Sequence, residues 1–159
     1  MVRKLRKGFT LVELLIVIVI IGILAAAMLL SSGSATDTAE AARIISDLRS
    51  MKSAFLMLYA ASPDEVSHGD FIIGHAAMSP FLDNPSRFTI ANGWQMITHS
   101  GPGFRRHYVY HDMNLYPRGV REKLAARAAS VGIQRDVPDD GSLGHPYAAG
   151  DRWAIIRVR

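Results

Sequence analysis

The sequence predicts an α+β protein: one long N-terminal helix packed against a small antiparallel β-sheet head. Three observations carry that prediction. Residues Leu14 to Leu30 form an apolar run without a charge. Beyond it, between Ala39 and Tyr59, the residues Ile44, Leu48, Met51, Phe55 and Leu58 step by four and three, the spacing of a single buried helical stripe. After Pro63 the pattern changes to short alternating stretches separated by Gly, Pro and Asn, which is how strands and turns read.

The first eight residues are basic, with Arg3, Lys4, Arg6 and Lys7 ahead of Gly8. The chain has 18 Lys and Arg against 14 Asp and Glu, and those four residues are the whole excess. The remainder is charge-balanced, which argues against a nucleic-acid reader, whose domain needs a basic face. A basic start ahead of an apolar segment holds the N-terminus in the cytoplasm and sends the rest across the membrane. The chain has no cysteine, which rules out disulfides and thiolate zinc sites.

The apolar run is near the lower limit for crossing a hydrocarbon core of about 30 Å. Counting back to Phe9 lengthens it but brings in Glu13. A charge within a membrane helix costs about 2.5–3.5 kcal/mol on insertion scales, so such a residue calls for a functional partner. Gly8-Phe9-Thr10-Leu11-Val12-Glu13, behind its basic leader, resembles the prepilin-type segment of type IV pilins and type II secretion pseudopilins. The resemblance covers roughly residues 3–60.

It implies cleavage between Gly8 and Phe9 by a prepilin peptidase, followed by N-methylation of Phe9. It also implies that Glu13 of one subunit holds the Phe9 amine of a neighbour during assembly. Opposite charges a few ångströms apart in a low dielectric attract far more strongly than in water, whether the pair meets at i, i+4 within one subunit or between packed subunits; the resemblance implies the second. Gly22 stands at the family's glycine position, and Gly22 and Gly33 are where the helix is expected to loosen. Leu30 departs from the Pro found in many pilins.

Two rivals for the first thirty residues are a secretory signal cut after Ala25-Ala26-Ala27 and an uncleaved single-pass anchor. The first leaves Met28-Leu29-Leu30 in the mature chain, and neither gives Gly8, Phe9 or Glu13 a purpose.

No proline interrupts residues 9–62, so one helix is expected from about Phe9 to Ala61, running past the polar break Ser31-Ser32-Gly33-Ser34 until Pro63 stops it. Arg43, Asp47 and Lys52 lie off the stripe, and Glu40 and Arg43 are placed for an i, i+3 pair. The chain thus divides into a leader (1–8), an apolar helical half for membrane and assembly (9–30), an amphipathic half (31–61) and a globular head (62–159).

In the head, Ser62 to Pro85 reads as a connector in which Phe71-Ile72-Ile73 is a short buried piece. Arg87–Ile90 and Trp94–Thr98 read as a hairpin joined at Asn92-Gly93. Arg105–His111 reads as a third strand, and Trp153–Val158 as the last. Pro117 and Gly132 bracket a helix from Arg118 to Val131, with Val120, Leu124 and Val131 on its apolar side.

His107, His111 and Asp112 suggest a metal site until strand geometry is applied. Residues i and i+4 of a strand lie about 13 Å apart, too far to share an ion. His68, His75, His99 and His145 show no ligand spacing. No nucleophile elbow, P-loop or dinucleotide fingerprint is present, so an enzyme is not expected. No cofactor is expected either. A secondary expectation is calcium at Asp136, Asp139, Asp140 and Asp151, since pseudopilins of type II secretion have a calcium-stabilised loop in a comparable region. Ordinary turns also use these residues. Arg105-Arg106 and Arg118/Arg121 read as solvated or subunit-contacting arginines.

The function expected is a major or minor subunit of a type IV pilus-like filament. Its partners are other pilin subunits, a prepilin peptidase, an inner-membrane assembly platform and membrane lipid, with no nucleic acid. The precursor is expected in a bacterial inner membrane with its head outside, and the product in a periplasmic or surface filament. The alternatives are a type II secretion pseudopilin and a membrane-anchored binding domain that does not polymerise.

Overall fold

The computed structural model describes residues 8–63, 75–101, 104–138 and 144–158. By its internal contacts the chain forms two units, the first ending at Thr36 and the second beginning at Asp37. Helix α1 spans Leu11–Ala61 and supplies residues to both. It runs unbroken past Gly22 and Gly33, where an added Cβ would meet nothing within 4 Å. Thr36 tolerates its interior position by donating its hydroxyl to the Gly33 carbonyl at 2.9 Å.

The second unit is built around the stripe read from the sequence. Ile44, Leu48, Met51, Phe55 and Leu58 are all buried, joined by Ala41, Ile45 and Ala54. After α2 (His75–Met78) come the 3₁₀ turns Ser79–Phe81, Pro85–Arg87 and Ile90–Asn92. The strands β1 (Trp94–Gly101) and β2 (Phe104–Asp112) follow. Helix α3 (Arg118–Val131) leads into β3 (Ile133–Gln134), and β4 (Trp153–Arg157) ends the fold. The four strands form one antiparallel sheet in the order β1-β2-β4-β3. Met96, Val109, Ala154 and Ile156 from the sheet, and Val120, Leu124 and Ala128 from α3, complete a single core with the α1 stripe.

Helix α3 has the bounds expected. Gly132 adopts φ +74° and donates its N–H to the Ala128 carbonyl, which closes the helix in the left-handed conformation glycine takes without penalty. Val131, expected on its apolar side, is only half-buried, and Ala128 fills the core position instead.

The hairpin lies one turn later than the sequence suggests. Arg87–Ile90 is not a strand. Thr89 starts a 3₁₀ turn, its side chain and carbonyl both receiving the Asn92 N–H, and Gly93 at φ +79° turns the chain into β1. A two-residue hairpin of the type expected needs positive φ at both central residues, and only Gly93 has it. The Asn92 amide is drawn back to the Ser86 and Arg87 carbonyls instead. The real hairpin joins β1 to β2, with Gly101 opposite Phe104. Phe71-Ile72-Ile73 lies outside the described residues.

Asp47, placed off the stripe by the sequence, is nonetheless buried. It is 8% exposed and pairs with Arg87. Burial pushes its carboxyl above the usual range, and the Arg87 guanidinium opposes that shift. The pair ties α1 to the Pro85–Arg87 turn, whereas Glu40–Arg43, at 3.5 Å, forms the exposed pair expected.

Removing one partner of a buried pair leaves the other charge stranded. Arg87→Ala should therefore lower unfolding stability by about 2 kcal/mol, scaled down from a fully buried pair because Arg87 is part-exposed. Adding Asp47→Asn should restore part of that loss, as urea unfolding of the two variants would reveal.

Candidate processing and assembly segment

The first unit is built on the apolar start of α1. Its apolar window is long enough to cross a membrane, and none of it is buried. More than a dozen large apolar side chains between Phe9 and Leu29 stand about half or more exposed. Covering each is worth roughly 1.5–3 kcal/mol, so water is an untenable surrounding for this segment.

Its start is built locally. Thr10 is the N-cap and Glu13 the third helical residue, and they bond reciprocally. The Glu13 N–H donates to Thr10 Oγ1 at 3.2 Å, while the Thr10 N–H donates to Glu13 Oε2 at 2.9 Å. The Thr10 hydroxyl also donates to Oε2, at 2.7 Å. This is a capping box, which supplies partners for two otherwise orphaned amide groups. Both bonds to the carboxylate fall on Oε2. The Thr-x-x-Glu spacing is visible in the sequence, so this local role of Glu13 was open to recognition there.

Gly8 and Phe9 precede the helix and are exposed, Phe9 at 78%. Arg3, Lys4, Arg6 and Lys7 lie outside the described residues.

In the second unit His99, His107, His111 and His145 have specific partners. His107 is buried beside Phe55, with ring centroids 4.7 Å apart, and its Nδ1 bonds Thr98 Oγ1 at 2.8 Å. His111 stacks on Trp94 at 3.8 Å and bonds the Tyr116 hydroxyl at 2.9 Å through Nε2. His99 reaches the Tyr110 hydroxyl at 2.9 Å, on β2 beside it. Asp112 turns to Arg152 at 3.0 Å and caps the Asn114 N–H. His107, His111 and Asp112 are thus not brought together. His68 is outside the described residues.

Of the calcium candidates, Asp136 Oδ1 accepts the His145 N–H and Oδ2 meets His145 Nδ1 at 2.8 Å. Asp151 accepts the Ala148 N–H at 2.7 Å. Both carboxylates build turns, and Asp139 and Asp140 lie outside the described residues. Among the described residues no three His, Cys, Asp or Glu side chains cluster for a metal ion. Arg118 pairs with Glu122 one turn along α3 at 2.8 Å.

Residues 3–29 match the family described as the prokaryotic N-terminal methylation motif. This is the prepilin-type signal of type IV pilins and pseudopilins. It points to a structural subunit rather than an enzyme, and with the apolar helix it fits a membrane-anchored precursor. No curated protein and no solved structure matches the chain.

The buried histidine stack makes the second unit acid-sensitive. Burial pushes the His111 imidazole down to about 4, with the Gly93 carbonyl and Asp112 opposing the shift. Its charged form is favoured in the unfolded chain, where the ordinary value is about 6.5. The stabilisation is full above pH 6.5 and is lost as pH falls toward 4. His111→Gln should flatten that dependence, which amounts to about 3 kcal/mol for the wild type. Urea unfolding of both chains at pH 7 and pH 4.5 measures it.

Proposed function

We propose that this chain is a prepilin that becomes a subunit of a type IV pilus-like filament. The observation that carries the reading is an apolar helical window of which none is buried among the described residues, opening on a carboxylate whose hydrogen bonds from them all fall on one oxygen. In the precursor, Thr10 partners Glu13 locally, which lowers the cost of holding the carboxylate in the membrane.

Cleavage between Gly8 and Phe9 turns the Phe9 amide into an amine, methylated and cationic. Glu13 Oε1 is left to receive that amine from a neighbouring subunit. As subunits gather, the exposed side chains from Phe9 to Leu29 exchange lipid for one another, so the helix leaves the bilayer without entering water. A pseudopilin of type II secretion would use the same segment in the same way.

Glu13→Gln preserves the capping-box geometry, since Gln also serves in that position, but removes the charge. The expected result is normal removal of the leader and loss of surface filaments seen by electron microscopy. Filaments at wild-type abundance would refute the role given to the carboxylate. Gly8→Ser tests processing separately. A Cβ at Gly8 meets nothing within 4 Å, so the variant should fold and remain in the membrane at full precursor length on a gel.

A further inference from the structure

Among the described residues, strand β1 is an open edge of the sheet. In β2, the Asp112 N–H bonds the Gly93 carbonyl at 2.9 Å and the His107 carbonyl accepts the Val158 N–H at 2.8 Å. Even-numbered residues of β2 therefore bond β1 and odd-numbered ones bond β4. Since Gln95 lies opposite Tyr110 and Ile97 opposite Tyr108, the odd residues of β1 turn their backbone groups toward β2. Trp94, Met96, Thr98 and Ser100 turn theirs outward. The Trp94 N–H is taken by the Thr89 carbonyl at 3.1 Å, whereas the outward N–H and C=O of Met96, Thr98 and Ser100 have no backbone partner among the described residues.

The opposite edge is closed. β3 is two residues long, Gln134 bridges to Pro146, and Ile133 C=O and Arg135 N–H bond Tyr147 and His145. β1 lacks the features that blunt an edge, having no proline, no bulge and no Lys, Arg, Asp or Glu from Trp94 to Gly101.

We propose that this edge docks on the same edge of a second copy, antiparallel about a two-fold axis at Ile97. An uncharged antiparallel edge is self-complementary under that symmetry. Met96 faces Thr98 of the mate in both directions, and the Ser100 N–H meets the Trp94 carbonyl that remains open. Ile97, half-buried, falls in a non-hydrogen-bonded pair, where opposite side chains come closest. Because the β3 edge is closed, pairing ends at two copies. A two-fold contact is isologous and cannot itself generate a helical filament, so under the filament reading it joins copies of different filaments. The pairing does not depend on that reading.

The chain has no cysteine, so Ile97→Cys introduces a single thiol. Full-length protein in detergent micelles should be a dimer by light scattering, and mild oxidation of Ile97→Cys should yield a disulfide-linked dimer. A thiol at Met57, exposed on α1, should not cross-link. Ser100→Pro removes only an outward N–H, and Ile97→Lys places like charges across the two-fold. Each should abolish the dimer, and Ile97→Lys carries the test if Ser100→Pro does not fold. A monomeric wild type, a dimer that survives Ile97→Lys, or equal cross-linking at Met57 would overturn the proposal. A failure of Glu13→Gln to affect filaments leaves these readouts unchanged.

Discussion

An acid at the head of an apolar helix constrains everything upstream of the polar break at Ser31-Ser32-Gly33-Ser34. Glu13 needs a partner wherever the segment resides, because a carboxylate in hydrocarbon is costly and the helix around it cannot remain in water. Thr10 supplies the first partner within the chain, through its N–H and its hydroxyl. The arrangement is local, so it forms whenever the first helical turn forms and asks nothing of the rest of the fold. It also uses one oxygen, which leaves the carboxylate able to accept a second donor without breaking the cap.

The same helix meets a different demand from Asp37 onward. There one face carries the stripe from Ala41 to Leu58 and is covered by the sheet and α3. The opposite side keeps polar groups such as Arg49 and Ser50. Close packing governs this half: Leu48, Phe55 and Tyr108 have no exposed surface, and deleting core volume of that kind typically costs several kcal/mol. Continuity of the helix comes from the absence of any breaker between Thr10 and Pro63, since Gly22 and Gly33 lower helix propensity by only about 1 kcal/mol each.

Polar groups inside the second unit sit where pairs of elements meet. Asp47 and Arg87 connect α1 to the turn ahead of β1, His107 and Thr98 connect β2 to β1, and His111 joins Trp94 to Tyr116. Asp47, His107 Nδ1 and His111 Nε2 each have a partner that water would otherwise provide, whereas His111 Nδ1 is buried without one. They define which register and which turn the chain adopts, because slipping a strand by one residue would turn His107 and His111 to the other face of the sheet.

Periodicity and punctuation alone determined the long helix, its buried stripe, the bounds of α3 between Pro117 and Gly132 and the last strand, while the methylation-type segment was legible through its resemblance to the prepilin-type segment. These are properties of neighbours within a few residues, where spacing and φ preference act directly. The capping box belongs with them, since Thr10 and Glu13 are three residues apart. Tertiary structure decided what short range could not: that Asn92-Gly93 exits a 3₁₀ turn instead of closing a hairpin, that Asp47 is buried, that β3 exists at all, and that the histidines of β2 are core residues. In each case the deciding partner lies elsewhere in the chain, and burial, a sum over distant atoms, overrides the preference of the local residues.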